Sequence, residues 1–333
     1  MNIRNVKILG TGEYVPATTL TDLEMDERLG MPPGWSRRTT DVQSRHFAAP
    51  GERAAVMGAR AAEAALEAAS LALEDVDCLV CASGTRQQAL PCTAVFIQEA
   101  MQAGQSGIPA FDIDATCLSF LTALDVMSSL VAVGRYRRVL IVSAEIASVG
   151  LDWTHKESAA LFGDGAAAAV IGPADEAGPS RILAASLRTY SAGAAFSEIR
   201  AGGTLRHPDG PTPAAAQDYR FAMNGPAIFK MASRLLPDFA RELLTASDTT
   251  MAAIQAVVPH QGSALAMRLL ERKLGIAREQ LVYITPTRGN TIAASIPMGL
   301  HAAIGSGRVK RGDRVLLLGT AAGLTLGGVV LDY

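Results

Sequence analysis

Cys117 occupies a position at which a sulfur nucleophile would be reactive. An apolar segment, 108–113, ends at Asp114, and an apolar-periodic stretch begins at Leu118 and continues to Val133. This pattern predicts a strand, a turn and a helix, with Cys117 at the start of the helix. Unpaired backbone N–H groups and the positive end of the helix dipole favour a thiolate there. The sequence therefore predicts a nucleophile; the competing interpretation is a small buried hydrophobe, since free cysteine is often buried.

Two polar residues of the second half complete a set that could carry out nucleophilic catalysis. His260 ends an apolar segment, 254–258, after Pro259, and Asn290 follows Gly289. A thiol, an imidazole and an amide together can attack an acyl group and donate hydrogen bonds to the charge that develops. Taken singly, His260 is also explained as a structural or surface histidine, and Asn290 as a turn residue.

The predicted elements of the first half recur in the second half. The matched segments are 138–142 with 314–318 (314 − 138 = 176) and 77–80 with 255–258 (255 − 77 = 178). Between them, the helix opened by Cys117 is matched with the stretch opened by Asn290 (290 − 117 = 173). Similar offsets over alternating strands and helices predict two duplicated α/β halves, 1–173 and 174–333, whose facing strand ends form one central site.

Composition and charge exclude several classes of function. Of the 333 residues, 49% are hydrophobic and 19% are charged, and the net charge is −2, so no global charge attracts nucleic acid or an anionic membrane. The longest apolar run, 315–331, is shorter than the roughly 20 residues of a membrane helix and contains glycines, which predicts a strand, a turn and a strand. We expect no membrane segment and no nucleic-acid partner.

The cysteines predict free thiols rather than disulfides or a metal site. All four lie in the first half, at positions 78, 81, 92 and 117. Cys78 and Cys81 form a C-x-x-C pair inside an apolar run that predicts a strand, and no second cysteine pair or histidine cluster completes a zinc site. The N-terminus has no apolar signal region. We therefore expect a disulfide-free, cytoplasmic protein without a metal.

Motifs spread over the whole chain carry a family resemblance. They are the residues around Cys117, His260-Gln261, Gly289-Asn290-Thr291-Ile-Ala-Ala-Ser-Ile-Pro297, Leu161-Phe-Gly-Asp-Gly165 and Gly319-x-x-x-Gly323-x-Thr325-x-Gly327. Together they resemble the β-ketoacyl-ACP synthase III family of the thiolase fold. A Cys-His-Asn set, rather than Cys-His-His, separates this family from the elongating ketosynthases, and the lack of a cysteine after Cys117 argues against a biosynthetic thiolase. The resemblance implies an α/β, thiolase-like fold with two duplicated halves in α-β-α-β-α layers.

The resemblance also implies a reaction. Cys117 would take an acyl group from an acyl-CoA, with the oxyanion held by the backbone N–H groups of Cys117 and Ala322. His260, as a neutral donor, and Asn290 would hydrogen-bond a malonyl thioester as carbon dioxide leaves. The carbanion would then attack the acyl-cysteine to give a 3-oxoacyl-ACP. Coenzyme A thioesters and the phosphopantetheine of acyl carrier protein (ACP) are substrates here, so no cofactor is expected.

Further residues are assigned by the resemblance to substrate binding and to partners. Leu90 and Phe162 would line the acyl pocket, with Leu90 reaching the partner's pocket in a homodimer, and a leucine there implies a preference for about four to eight carbons. Coenzyme A and pantetheine would contact Trp35, Arg38, Asn224 and Lys230. ACP would dock on Arg268, Arg272 and Lys273, spaced for one helical face. A helix face that is merely solvated explains these three basic residues slightly better.

The motifs depart from the family at four places, which leaves the acceptor open. His-Gln-Ala-Asn becomes His-Gln-Gly-Ser at 260–263, an arginine becomes Leu265, Arg-Thr-Gly becomes Thr-Thr-Asp at 39–41, and an aromatic-Gly-Gly-Gly turn becomes Thr-Ala-Ala-Gly at 320–323. The alternative is an acyltransferase of secondary metabolism that passes the acyl group to an alcohol or amine, or condenses non-ACP partners. A papain-like protease would need a Cys-Gly-x-Cys-Trp signature, which is absent. An inactive scaffold would not need all three polar residues.

Overall fold

The computed structural model describes residues 3–333, and two β-sheets dominate it. The strands are β1 Val6–Tyr14, β2 Thr18–Thr21, β3 Ser44–Phe47, β4 Cys78–Cys81, β5 Ala110–Asp112, β6 Val139–Glu145, β7 Gly165–Pro173, β8 Arg181–Gly193, β9 Ser197–Glu198, β10 Ala222–Met223, β11 Ala256–Pro259, β12 Arg314–Ala321 and β13 Gly323–Asp332. One sheet has the order β1-β7-β6-β4-β5, and the other has the order β11-β12-β13-β8. β2 with β3, and β9 with β10, form short two-stranded sheets.

The two large sheets have the same strand directions. In the N-terminal sheet β1 and β6 run antiparallel to β7, and β4 is parallel to both β6 and β5. In the C-terminal sheet β8 and β12 run antiparallel to β13, β11 is parallel to β12, and Val257 makes a parallel bridge to Leu281 on the free side of β11. The prediction of two duplicated α/β halves is therefore confirmed. The boundary expected at 173/174 lies between β7 and β8.

Helices cover both sheets and separate them. The α-helices are α1 Asp22–Leu29, α2 Trp35–Thr40, α3 Ala54–Ala68, α4 Thr93–Ala100, α5 Ser119–Ala132, α6 Lys156–Leu161, α7 Gly225–Ala246, α8 Ala264–Leu274, α9 Thr285–Arg288 and α10 Ser295–Gly305. α3 and α4 pack on the outer face of the N-terminal sheet, and α7 and α8 on that of the C-terminal sheet. α5 and α10 lie between the sheets. The expected α-β-α-β-α layering is thus present.

The inner strands are continuous apolar runs because both of their faces are covered. Val139 and Ile141 of β6 belong to the core between the sheets, whereas Leu140 and Val142 face the outer helices. Successive side chains of a strand point to opposite faces, so a sheet covered on both sides needs apolar residues at every position. The run 78–81 is a strand for the same reason, and its two cysteines face opposite sides of the sheet.

β1 approaches α3 closely at two glycines. A β-carbon on Gly12 would lie 2.3 Å from the carbonyl oxygen of Ala61, and one on Gly10 would lie 2.5 Å from that of Ala65. Only glycine fits at such distances. The Gly-Thr-Gly of the opening strand therefore serves the packing of the alanine-rich helix.

The two central helices begin in the same way, at an offset that the sequence match placed wrongly. Thr116 and Ile292 both have a positive φ, of 52° and 49°, and each starts a short 3-10 turn that leads into α5 or α10. The offset is therefore 176 (292 − 116), which makes Ala293, rather than Asn290, the counterpart of Cys117. The sequence match aligned polar residues, whereas the duplicated feature is the backbone turn.

The most apolar stretch of the second half is part of the sheet. The run 315–331 forms most of β12 and β13, which are joined by a turn at Ala322, as its glycines predict. Across residues 3–333, the structure contains no helix with the length and apolarity needed to cross a membrane.

Candidate active site

Cys117 lies in the 3-10 turn between β5 and α5. The left-handed backbone of Thr116 turns the chain sharply just before it. Asp114 stabilises this turn because its carboxylate accepts the backbone N–H of Thr116 at 2.9 Å. The backbone N–H groups of Cys117 itself and of Ala322 both face the Cys117 sulfur. An atom bonded to that sulfur therefore has two converging donors beside it.

The Cys117 thiol is not a thiolate in the resting protein, contrary to the expectation from the helix start. Burial, with a further contribution from Glu145 and Asp114, raises the pKa of the thiol to about 12, and the two N–H groups offset this only in part. Desolvation penalises the charged form of a thiol. The size of this desolvation penalty depends on the tertiary packing around the turn, so the local sequence could not predict the raised pKa.

His260 follows β11 and is buried against β12. A β-carbon on Gly319 would lie 2.8 Å from Cβ of His260 and 3.0 Å from Cδ2 of Leu118, so glycine at this position lets the histidine and the nucleophile turn pack together. Burial lowers the pKa of His260 to about 4. The imidazole is therefore neutral near pH 7 and has one N–H to donate.

Asn290 is held by hydrogen bonds of its backbone and its side chain. Its backbone N–H donates to the carbonyl of Leu161 at 2.9 Å, and its carbonyl accepts from Gly163 at 3.1 Å. The side-chain Oδ1 accepts the backbone N–H of Ile292 at 2.9 Å, which fixes the orientation of the amide. Nδ2 donates to the carbonyl of Gly262 at 3.4 Å. The second N–H of Nδ2 remains available to a substrate.

The three predicted polar residues come together at one site. The turn Thr116–Leu118 packs against the turn Ile292–Ala294 and against β12. Gly262 accepts the hydrogen bond of Asn290, and a β-carbon on Gly262 would lie 4.0 Å from Nε2 of His260. The nucleophile comes from one half of the duplication and the two hydrogen-bond donors come from the other.

Glu145 is a buried carboxyl group that the sequence analysis did not single out. It ends β6 and accepts hydrogen bonds from the backbone N–H groups of Gly84 at 2.6 Å and Thr85 at 2.9 Å, and from the Thr85 hydroxyl at 2.5 Å. Burial raises the pKa of Glu145 to about 8, and the hydrogen bonds offset only part of this rise. The sequence feature that could have identified Glu145 is an acidic residue at the end of an otherwise apolar strand. Glu145 anchors the start of the loop 84–92.

The two acyl-pocket candidates are placed very differently. Phe162 is buried, stacks edge to face on Phe221 with 5.3 Å between ring centroids, and forms a backbone bridge with Asn290. It therefore lies beside the site. Leu90 lies in the loop 84–92 and is 82% exposed. Within one chain Leu90 consequently lines no buried pocket.

Trp35 and Arg38 lie on α2, a short helix held by a buried carboxylate. Asp26 accepts the backbone N–H groups of residues 34–36, at 2.6, 3.1 and 2.7 Å. Trp35 packs partly against the cluster that contains Phe162, and Arg38 is exposed. Asp26 therefore fixes the position from which the indole is presented.

Asn224 and Lys230 lie at the start of α7 and are both exposed. The side-chain Oδ1 of Asn224 accepts the backbone N–H of Ala227 at 3.1 Å and so caps the helix. Capping alone explains an asparagine at this position.

The three candidate ACP contacts of α8 are exposed, but only two share a face. Arg268 and Arg272 lie one turn apart, and Nε of Arg272 donates to the Arg268 carbonyl at 3.2 Å. Lys273, five positions after Arg268, is rotated from it by about 140° around the helix axis. Leu265, which replaces the arginine of the family motif, is 51% exposed and lies one turn before Arg268. The expected single basic face is therefore narrower and more apolar.

Two departures from the family motifs have a structural role. Ser263 caps α8, because its Oγ accepts the backbone N–H of Ala266 at 3.2 Å, and serine and asparagine are comparable caps. Asp41 stands where the family has glycine, at a φ of 66°, and its carboxylate accepts the Tyr283 hydroxyl at 2.8 Å. Aspartate tolerates the left-handed region better than most residues. These two substitutions therefore preserve the fold.

Comparisons with known proteins match both halves of the chain. The model of 3-oxoacyl-[acyl-carrier-protein (ACP)] synthase III matches residues 111–191, and the model of the C-terminal part of that family matches residues 244–333. The β-ketoacyl-[acyl-carrier-protein] synthase III of Laribacter hongkongensis is 34% identical over 328 residues, 98% of this chain and 99% of that protein. The protein of the same name from Thiobacillus denitrificans is 36% identical over 327 residues, again 98% and 99%.

A solved structure is similar over the same length. The crystal structure of 3-oxoacyl-[acyl-carrier-protein] synthase III from Aquifex aeolicus has a TM-score of 0.88 to this chain at 33% identity, and the match covers 98% of this chain and 100% of that one. Sequence and structure therefore agree over nearly the full length. The chain belongs to the 3-oxoacyl-[acyl-carrier-protein] synthase III family.

Proposed function

We propose that this protein catalyses a decarboxylative Claisen condensation between an acyl group carried on Cys117 and malonyl-ACP, which gives a 3-oxoacyl-ACP. The observation that carries this proposal is the meeting of a thiol, a neutral imidazole and an oriented amide beside two backbone N–H groups. Membership of the family supports the same chemistry.

The first half-reaction loads the nucleophile. The Cys117 sulfur attacks the thioester carbon of an acyl-CoA, and the carbonyl oxygen becomes negative. The N–H groups of Cys117 and Ala322 stabilise this oxyanion, and one such donor is typically worth about 3 kcal/mol. The intermediate loses the coenzyme A thiolate, which takes up the proton given up by the Cys117 thiol. The products are an acyl thioester on Cys117 and free coenzyme A.

The second half-reaction forms the carbon–carbon bond. His260 and Asn290 donate hydrogen bonds to the thioester carbonyl of malonyl-ACP. The bond to the carboxylate breaks, carbon dioxide leaves, and its electron pair remains as an enolate that both donors stabilise. The enolate carbon attacks the acyl carbonyl on Cys117, and the new oxyanion occupies the same N–H pair. Collapse expels the Cys117 thiolate, which takes up a proton from solvent.

Substrate contacts remain part of the proposal. Trp35 would stack on the adenine of coenzyme A and Arg38 would meet its phosphates, while Asn224 and Lys230 would lie along the pantetheine. The helix α8, through Arg268, Arg272 and Lys273, would receive the acidic surface of a carrier protein. Trp35 is half-buried, and the other six side chains are exposed, which supports both assignments. No metal or redox cofactor takes part in the proposed steps.

We also propose a cytoplasmic homodimer. All four cysteines are free thiols, which suits a reducing compartment. Within residues 3–333 the end strand β5 has an unpaired edge, and Leu90 is exposed on the loop that Glu145 anchors. A second copy that covers this edge would bring Leu90 to its own Phe162 and complete an acyl pocket there.

The decisive experiment incubates the protein with butyryl-CoA and malonyl-ACP. We expect release of carbon dioxide together with a 3-oxohexanoyl-ACP, and with butyryl-CoA alone a butyryl adduct on Cys117. Cys117→Ala should abolish the adduct and the product. His260→Ala and Asn290→Ala should keep the adduct and lose carbon dioxide release.

Other outcomes would overturn the proposal. An adduct on Cys78, Cys81 or Cys92 would remove Cys117 from the mechanism. Transfer of the butyryl group to an alcohol or amine without carbon dioxide would assign the protein to the acyltransferases that do not condense.

A further inference from the structure

Ser295 contacts the imidazole of His260 at Nδ1. Its Oγ lies 2.8 Å from Nδ1 of His260, and both side chains are buried. The two residues are 35 positions apart in sequence, and Ser295 is the first residue of α10. The neutral imidazole carries its single proton on either Nδ1 or Nε2. The partner of Nδ1 therefore decides what Nε2 can do.

The Ser295 hydroxyl has one hydrogen and three polar neighbours. Besides Nδ1 of His260, the carbonyl of Ile292 lies at 2.8 Å and the backbone N–H of Gln261 at 3.3 Å. The N–H can only donate and the carbonyl can only accept. Two arrangements are therefore complete: the hydroxyl donates to Nδ1 and the proton of the ring is on Nε2, or Nδ1–H donates to the hydroxyl and the hydroxyl donates to the Ile292 carbonyl.

The Ile292 carbonyl does not depend on the hydroxyl. It already accepts the backbone N–H of Ser295. When the hydroxyl turns to Nδ1, no buried group loses its last hydrogen bond, because the Gln261 N–H still donates to Oγ. The first arrangement thus carries no penalty for an unsatisfied polar group.

We propose that Ser295 is a positioning residue that holds His260 in the Nε2–H tautomer, so that Nε2 can donate to the enolate oxygen. This inference rests on the proposed function, in which His260 acts as a donor. In the other tautomer Nε2 would present a lone pair to a developing negative charge. Ser295 thereby acts on carbon dioxide release and not on the loading of Cys117.

The duplication supplies an internal comparison. Ser119 is the equivalent first residue of α5 (295 − 119 = 176). Its hydroxyl donates to the carbonyls of Thr116 at 2.7 Å and Ser83 at 3.2 Å, and accepts the backbone N–H of Ala115 at 2.9 Å. All of its partners are backbone groups. The serine thus has a structural role in both halves, and only in the C-terminal half does it also contact a histidine ring.

The tautomer can be measured in the resting protein by 15N NMR of labelled histidine, with His260→Asn used to assign the ring. We expect a protonated Nε2 and an unprotonated Nδ1 in the wild type. Ser295→Ala removes the donor to Nδ1, and the Ile292 carbonyl is an acceptor that faces the ring, so the proton should move to Nδ1. Ser295→Thr and Ser119→Ala should keep the wild-type pattern. A wild type protonated on Nδ1, or no change in Ser295→Ala, would overturn the inference.

The two half-reactions give a second measurement. Ser295→Ala should release labelled carbon dioxide from malonyl-ACP about tenfold more slowly, as expected from the loss of one hydrogen bond to the ring, and should load Cys117 from butyryl-CoA within about twofold of the wild type. Ser295→Thr should restore the release. Equal losses in both half-reactions, in step with a lower melting temperature, would reduce Ser295 to a structural role. If the wild type releases no carbon dioxide, the proposed function fails, and the NMR spectrum still decides the tautomer.

Discussion

Cys117 combines a high pKa with a site built to stabilise negative charge. The two N–H groups are placed to stabilise an anion on the acyl oxygen of a bound substrate, whereas desolvation and the charge of Glu145 disfavour an anion on the sulfur itself. The proton therefore leaves the sulfur during the attack rather than before it. This differs from thiol enzymes in which a neighbouring cation holds a thiolate in advance.

This difference predicts the pH dependence of alkylation. Because the pKa of Cys117 is about 12, its rate of reaction with iodoacetamide should rise about tenfold per pH unit from pH 6 to beyond pH 9, following the thiolate fraction. Intact-mass spectra report the rate, and Cys117→Ala measures the background from Cys92, which is partly exposed, as Cys117 is. A plateau between pH 6 and pH 8 would show a preformed thiolate instead.

The buried His260 predicts an acid-sensitive fold. Folding lowers its pKa from 6.5 to about 4, so between these values the unfolded chain binds a proton that the folded chain does not. Stability is then complete above pH 6.5 and is lost as the pH falls to 4, by about 3 kcal/mol at 1.36 kcal/mol per pKa unit. Urea titrations should show this loss in the wild type and a smaller one in His260→Gln. Parallel curves for the two proteins would contradict the assignment.

For single residues, the sequence predicts which side chains come together at the site, but not their protonation states or hydrogen-bond partners. Cys117, His260 and Asn290 could be placed because each follows a recognisable strand or turn end. The state of the thiol could not, since it depends on burial in a core built from both halves. Glu145 and Ser295 escaped notice because only their tertiary hydrogen bonds distinguish them from ordinary residues at the ends of elements.

Among the elements, strands were predicted better than the segment that carries Trp35. Apolar runs identified β4, β6, β11, β12 and β13, and their repetition revealed the duplication. The polar stretch 22–45 gave no such pattern, yet it forms α1, α2 and part of a two-stranded sheet. α2 is six residues long and has a glycine N-cap without a side-chain bond. Asp26, on the preceding helix α1, accepts the backbone N–H groups at the start of α2, for which α2 has no capping side chain of its own.

The dependence of α2 on Asp26 can be tested through coenzyme A binding. Asp26→Ala removes the acceptor of three backbone N–H groups, a change that typically costs 1.5–3 kcal/mol per charged bond. We expect the KM for butyryl-CoA to rise about tenfold, while the KM for butyryl-pantetheine, which lacks the adenine, stays the same. Glu27→Ala, an exposed carboxylate of the same helix, is the control. An equal rise in KM for both thioesters would show that Asp26 does not act through the proposed contact of Trp35 with adenine.

For the whole molecule, the duplication places one site between two sheets and puts β5 at the end of the N-terminal sheet. In the part of the chain that the structure describes, the strand β5 pairs only with β4, and its residues are half-buried in a single chain. An unpaired edge of this kind is normally protected or used for association. We therefore expect light scattering at micromolar concentration to give twice the mass of the chain. A monomer under these conditions would leave Leu90 without a pocket to enter.

Leu90 links that assembly to the choice of substrate. If its side chain closes the partner's acyl pocket, a leucine in place of an aromatic residue leaves room for two or three more carbons, and each buried methylene is worth about 0.8 kcal/mol. The wild type should then load butyryl- to octanoyl-CoA one to two orders of magnitude better than acetyl-CoA, and Leu90→Phe should restore acetyl-CoA. In a mixed dimer, one subunit carrying both Leu90→Phe and Cys117→Ala should change the chain length loaded on the wild-type subunit. If all chain lengths change equally, or if the wild-type subunit of the mixed dimer keeps the chain-length preference of the wild-type enzyme, Leu90 does not reach across the dimer.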